Sequence, residues 1–138
     1  MRYDPDNIFA KILKGDIPSH KIYEDDTTFA FLDVMPRSDG HTLVIPKATA
    51  TGLLDADPEV ILNCMTTIQK LAPKIVEAMD AEGFIVQQFN GEAAGQTVFH
   101  LHFHIVPRKT GERLRPHATE MADPELLASH AKAIRAVL

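Results

Sequence analysis

The segment FHLHFHIVPR, residues 99–108, places His100, His102 and His104 at every second position, with Leu101, Phe103 and Ile105 between them. Successive side chains of an extended strand point to opposite faces, so this alternation predicts a β-strand with one imidazole face and one apolar face. The apolar set faces a core. Neighbouring histidines on the other face then lie roughly 6 to 7 Å apart, close enough for their rings to converge on one small ligand.

The rest of the chain supplies partners for that strand. HKIYED and TTFAFLD are β-prone runs separated by acidic turn residues, and HTLVIP is a third, entered through VMPRSDG. They read as an antiparallel meander. FIVQQFN, after Gly83, is a fourth strand, and VFHLHFHIVP is the fifth, ending at Pro107.

Three stretches carry helical periodicity. Ile8, Phe9, Ile12 and Leu13 predict a short first helix, with Asp6 or Asn7 as N-cap and a stop at Gly15. Ile61, Met65, Ile68, Leu71, Ile75 and Met79 predict a long amphipathic helix from Asp57 to Met79, kinked or broken near Leu71 and Ala72 by Pro73. DPELLASHAKAIRAVL predicts a last helix capped by Asp123, with Pro124 in its first turn. The expected class is α+β: a five-stranded antiparallel sheet with one long helix and short N- and C-terminal helices, the helices covering one face.

With 138 residues and 45% apolar content, the chain has the size and composition of one domain, 1–138, in which 109–138 form a variable tail and helix. No window approaches a membrane span, and the N-terminus lacks the long apolar stretch of a secretory signal, so a cytosolic setting and no membrane contact are expected. A formal charge of -5 argues against a dedicated nucleic-acid binder, which would carry a basic stripe. Small phosphates remain open, because a local pocket binds them whatever the net charge. The single cysteine, Cys64, sits among apolar residues of the long helix and reads as a buried structural thiol.

Three chemistries compete for the histidine face. One is a hydrogen-bonded or solvated stripe. Another is a metal site, which wants three or four ligands, usually with carboxylate or thiolate help that this strand lacks. The third is nucleophilic attack by a neutral imidazole on phosphorus, feasible near neutral pH because the ordinary imidazole pKa is about 6.5. That reaction needs donors for the phosphate oxygens and a proton for the leaving group. The loop NGEAAGQT lies directly upstream, with Gly91 and Gly95 letting backbone N–H groups approach a phosphate and Gln96 and Thr97 adding an amide and a hydroxyl.

HLHFHIV resembles the signature of the histidine triad (HIT) family. NIFAKILKGDIP, EDDTTFAFLDVMPRSDGHTLVIPK and NGEAAGQTVFHLHFHIVPR are similar, in order and spacing, to its Hint-like branch, over most of residues 7–108. The resemblance implies a HIT-like fold and catalysis through a covalent nucleotidyl-histidine. His102 would be the nucleophile, His104 would hold the phosphate oxygens, and His100 would steady the site. His41 corresponds to an additional histidine beside the nucleophile. Asn90, Gly95, Gln96 and Thr97 correspond to the phosphate loop, with Thr97 serving the leaving group. Asp33 corresponds to the carboxylate that bonds the ribose hydroxyls, and Ile8, Phe9, Ile17, Phe31, Leu32 and Val34 to the base pocket.

Departures from the family pattern also carry information. Many bacterial relatives hold a structural zinc through a Cys-x-x-Cys pair, a later histidine and the first triad histidine. Here those positions are Asn7, Ala10 and Thr49, so neither zinc nor any other cofactor is expected. Leu32 stands where relatives often have histidine, and the tail after Arg108 departs most. The implied activity is hydrolysis of a purine nucleoside phosphoramidate by a homodimer whose sheets join edge to edge. Dinucleoside polyphosphate hydrolysis is the nearest enzymatic rival. A nucleotide-binding scaffold with incidental turnover is the rival from another class, and a branch repairing adenylated DNA ends would predict a basic patch that this chain lacks.

Overall fold

A computed structural model describes residues 2–116 and 120–138; residues 117–119, in the middle of the expected tail, lie outside the described residues. The elements run α1 (Ile8–Leu13), β1 (Lys21–Glu24), β2 (Thr28–Leu32), β3 (Thr42–Pro46), α2 (Pro58–Ala78), β4 (Gly83–Gln87), β5 (Phe103–Arg108) and α3 (Pro124–Val137). The five strands form one sheet in the order β1-β2-β3-β5-β4, each neighbouring pair antiparallel. The fold is α+β and has the expected arrangement of one long helix between short N- and C-terminal ones.

Strand alternation divides the core in two. Ala30, Leu32, Val44, Phe103 and Ile105 meet Ile68, Leu71 and Ile75 of α2 and Leu127, Ala131 and Ile134 of α3 in one apolar cluster. Phe29, Phe31, Leu43 and Ile45 point the other way, against Phe9 and Ile12 of α1. Helices therefore lie on both faces: α2 and α3 cover one, and the short α1 lies on the other beside the histidines. Burying each large apolar side chain contributes roughly 1.5–3 kcal/mol. A buried hydroxyl pair, Thr28 Oγ1 and Thr67 Oγ1 at 2.7 Å, ties β2 to α2 without leaving either group unsatisfied.

Pro73 does not break α2, which runs uninterrupted from Pro58 to Ala78. A proline inside a helix costs about 3 kcal/mol. Here Leu71, Ala72 and Ile75 are all buried against the sheet, and their packing outweighs the lost backbone bond. Asn7, rather than Asp6, caps α1 by accepting from the Ala10 N–H at 2.9 Å, and Asp123 caps α3 as expected. Cys64 is fully buried, and burial pushes its thiol up to about 12, which fits a structural role. Among the described residues, no helix is long and apolar enough to cross a membrane.

The fifth strand differs from expectation in its start. It begins at Phe103, so only His104 of the three histidines belongs to it. Upstream, the Leu101 N–H donates to the Ala50 carbonyl at 2.8 Å, pairing the segment with the chain beyond β3. The alternation nonetheless survives, since Leu101 joins Phe103 and Ile105 in the helix-side cluster.

Candidate active site

Between α1 and the sheet lies a cavity of about 270 Å³, near the lower end of ordinary ligand pockets. Ile8, Phe9, Ile12, Ile17, Phe31 and Leu43 make its apolar wall, and His102, His104, Asp33, Gly95 and Thr97 its polar end. Leu32, Val34 and Val98 also border it, as do Pro18, Ser19 and Met35. Among the described residues its lining contains no lysine or arginine. Negative charge arising there would be met by imidazole, hydroxyl and backbone N–H groups, not by a cation.

The hydrogen bonds of the histidines settle which nitrogens carry protons. His102 Nδ1 lies 2.7 Å from the His100 carbonyl, which can only accept, so the proton is on Nδ1 and the lone pair of the neutral ring is on Nε2. The Phe9 ring meets the His102 ring edge to face, 4.9 Å between centroids, and restrains its tilt. His100 is fully buried. Its Nε2 donates to the Pro46 carbonyl at 2.9 Å, so its Nδ1 accepts, from the Tyr3 hydroxyl at 2.6 Å. Burial holds the pKa of His100 below the ordinary imidazole value, against the opposing pull of the Pro46 bond.

His41 serves His104, where the family pattern places it beside the nucleophile. The Arg37 N–H donates to His41 Nδ1 at 3.0 Å, so His41 Nε2 carries hydrogen and faces His104 Nδ1 at 2.9 Å. His104 in turn holds its proton on Nε2 and can offer it as a donor. The geometry depends on Gly40, whose φ is +84° and where a Cβ would come within 2.5 Å of Met79 Cγ. The loop is also pinned from the tail: the Arg115 N–H donates to the Arg37 carbonyl at 2.8 Å, and the Arg115 guanidinium pairs with Asp39 at 2.7 Å. That bond holds the Asp39 carboxyl below its ordinary range.

Asp33 borders the cavity, accepts from the Met35 N–H at 2.9 Å and lies 3.6 Å from His41 Nε2. Asp33, His41 and His104 thus bring ligand-type atoms within 4.8 Å of one another. Their protons argue against metal binding, because His41 Nε2 is a donor as long as Arg37 donates to Nδ1. A structural zinc at the family position does not fit either. Asn7 is spent on capping α1, Ala10 has no ligand atom, Thr49 is exposed, and both ring nitrogens of His100 have protein partners.

The expected phosphate loop divides in two. Gly95 and Thr97 reach the cavity; Gly95, with φ +101°, ends a short 3-10 turn at Glu92–Ala94. The other two side chains brace the loop. Gln96 accepts from the Gly91 N–H at 2.8 Å and donates to the Thr51 and Val98 carbonyls, while Asn90 Oδ1 accepts from the Leu53 N–H at 2.8 Å. Asn90 and Gln96 are absent from the cavity lining, and His41 and His100 act on it only through their neighbours.

Sequence reasoning missed Tyr3 and Arg37, whose contributions are long-range or through the backbone and leave no local signal. Ile12 and Leu43 were readable as apolar positions of α1 and β3, but not as walls of a cavity.

Comparison with known proteins agrees with this geometry. The HIT domain model matches residues 14–111. A crystal structure of a Hit-like protein involved in cell-cycle regulation from Bartonella henselae, with unknown ligand, superposes with a TM-score of 0.94 at 48% identity and full coverage of both chains. The chain is 44% identical over 105 residues to the adenosine 5'-monophosphoramidase hnt1 of Schizosaccharomyces pombe, covering 76% of each. It is 38% identical over 122 residues to the adenylylsulfatase HINT3 of Arabidopsis thaliana, covering 84% of this chain but only 62% of that protein. The chain belongs to the HIT family, in its Hint-like branch. This is a family of histidine-triad nucleotide-binding hydrolases, and the chain carries all three histidines of the triad.

Proposed function

We propose that the protein hydrolyses purine nucleoside phosphoramidates through a covalent nucleotidyl-His102. The observation that carries this reading is the bond from His102 Nδ1 to the His100 carbonyl, which leaves the lone pair on Nε2 of a ring that lines the cavity's polar end. Nε2 attacks phosphorus, a phosphorus–nitrogen bond to His102 forms, and the bond to the leaving amine breaks. The amine leaves with a proton that solvent supplies through the hydroxyl of Thr97, a residue lining the cavity. Water then attacks the nucleotidyl-histidine, releasing a nucleoside monophosphate and restoring the ring.

The other groups divide the remaining work. His104 and the Thr97 N–H stabilise charge on the phosphate oxygens, the Gly95 and Gln96 N–H groups being held by the Glu92 and Gly91 carbonyls. Asp33 accepts from the ribose hydroxyls, and the base lies against the apolar wall to which Ile8, Phe9, Ile17, Phe31, Leu32 and Val34 contribute. A shallower cleft bordered by Arg2, Asp4 and Asn7 shares Ile8, Thr97 and Val98 with the cavity and offers the leaving group a path out. The monophosphoramidase relative supports the choice of substrate, and the adenylylsulfatase relative supports an adenylate carried on a different leaving group.

We also read the protein as a homodimer. Strand β4 is a sheet edge, and Phe84 and Val86 are 45% and 38% exposed along it. Pairing with a second copy would cover a hazardous edge.

The deciding experiment mixes excess enzyme with an adenosine phosphoramidate and looks by mass spectrometry for a nucleotidyl adduct alongside released amine. A burst with the adduct on His102, lost in His102→Ala, is expected. Turnover retained in His102→Ala would overturn the mechanism, and tight nucleotide binding with negligible turnover by the parent protein would favour a scaffold.

A further inference from the structure

We propose that Asp55 is a positioning residue of the catalytic centre, joined to the His102 ring by an unbroken chain of hydrogen bonds that runs through two peptide groups. The inference rests on the reading of His102 as nucleophile. His102 Nδ1 donates to the His100 carbonyl at 2.7 Å. The N–H of that same peptide group, Leu101, donates to the Ala50 carbonyl at 2.8 Å. The N–H of the next peptide group, Thr51, donates to both carboxylate oxygens of Asp55, at 3.1 and 2.9 Å.

A peptide group is a resonance-coupled plane, so a bond drawn from its N–H makes its carbonyl a stronger acceptor, and successive links strengthen one another. All three bonds point the same way, and the chain ends on a carboxylate. The Thr51 bond, opposed by burial and aided by the Gly52 N–H at 2.9 Å from Oδ1, holds the Asp55 carboxyl below its ordinary range. Asp55 itself is exposed, and solvent screens its field through space. What reaches His102 therefore passes along the bonds.

The turn that carries Asp55 is held in register from the phosphate loop. Gln96 Nε2 donates to the Thr51 carbonyl at 2.7 Å, Asn90 Oδ1 accepts from the Leu53 N–H at 2.8 Å, and a Cβ on Gly52 would come within 2.8 Å of Asn90 Oδ1. When His102 Nε2 bonds phosphorus and the leaving group departs, the ring becomes cationic and its Nδ1–H a stronger donor. The polarised His100 carbonyl meets that charge as it develops. A carboxylate in direct contact with Nδ1 stabilises the imidazolium of serine hydrolases, and Asp55 does the same at two peptide groups' remove. No proton moves along the chain, since Nδ1 keeps its hydrogen throughout.

The test uses the full-length protein and Asp55→Asn, whose amide oxygen still accepts from Thr51 and Gly52 while the charge is gone. Proton NMR is expected to show the His102 Nδ1–H and the Leu101 N–H moving upfield together in the variant, with the Thr51 and Gly52 amides as protected from exchange as in the parent. With an adenosine phosphoramidate, kcat falls about threefold and KM stays within about twofold, the order expected when a charge-assisted bond becomes a neutral one two peptide groups away. Asp55→Glu, which keeps the charge, should stand nearer the parent in both readouts. A role in shaping the turn alone would leave the His102 and Leu101 resonances unmoved in Asp55→Asn, and that result overturns the proposal. No turnover of phosphoramidate by the parent would instead count against the proposed function, and the resonances alone would then decide on Asp55.

Should Asp55→Asn fail to fold or lose the protection of Thr51, Asp55→Glu and Asp55→Gln carry the comparison, since the two side chains match in length and differ in charge. A His102 resonance farther upfield and a lower kcat in Asp55→Gln support the relay. The same resonance and the same kcat in both overturn it.

Discussion

His41 Nε2 stands 2.9 Å from His104 Nδ1, and the direction of that bond is imposed by a backbone N–H, that of Arg37, on the far side of the His41 ring. The relay makes His104 a donor toward anions. His41→Leu removes it and, at about 1–3 kcal/mol for a buried partner left unsatisfied, should lower kcat roughly 5- to 150-fold. His41→Gln, whose amide nitrogen can stand near the imidazole Nε2, should retain more activity. Steady-state kinetics check the order, and a parent-like His41→Leu would remove His41 from the mechanism.

Pro73 lies exposed inside an unbroken helix, so its missing N–H brings no visible benefit to the fold. Pro73→Ala restores the donor and improves helix propensity, against a smaller loss from a freer unfolded chain. We expect a net gain of about 1–2 kcal/mol, seen as a higher urea midpoint with unchanged m-value. A lower midpoint would mean that the proline shapes α2 in a way its packing needs.

Stability should respond to acid in two separate windows. His100 has a folded pKa below its ordinary value of 6.5, so the unfolded chain binds its proton first. Its contribution is fully present above about pH 6.5 and is lost as pH falls below that value. Asp25 behaves likewise lower down. Burial pushes its carboxyl up, but bonds from the Thr27 and Thr28 N–H groups and the Tyr23 hydroxyl prevail and hold it at about 2, against 3.8 ordinarily. That contribution is present above 3.8 and is lost as pH falls toward about 2. Urea unfolding across pH should show His100→Gln flattening only the upper window and Asp25→Asn only the lower. A slope near pH 6 that survives His100→Gln intact would assign it to other groups.

How much of this was legible beforehand depended on range. The alternation at residues 99–108 revealed which side chains of the segment share a face, and Leu101, Phe103 and Ile105 do sit together in the core. Helix periodicity located α1, α2 and α3 nearly to their ends, because capping by Asn7 and Asp123 is a matter of two or three neighbouring residues. The same local rules misjudged Pro73, where buried contacts from another layer of the structure outweighed a penalty that sequence can count but not offset.

The sequence by itself determined the α+β pattern, the three histidines on one side of their segment and the family that such a pattern marks, since each follows from side-chain periodicity or from contiguous motif. Only the tertiary structure decided where each of these histidines carries its proton. Protons on imidazole are placed by hydrogen-bond partners, and those partners came from afar: Pro46 and Tyr3 for His100, Arg37 and His41 for His104. It also assigned Asn90 and Gln96 to bracing the loop, because whether an amide is available to a ligand depends on which carbonyls and N–H groups the fold has already set beside it.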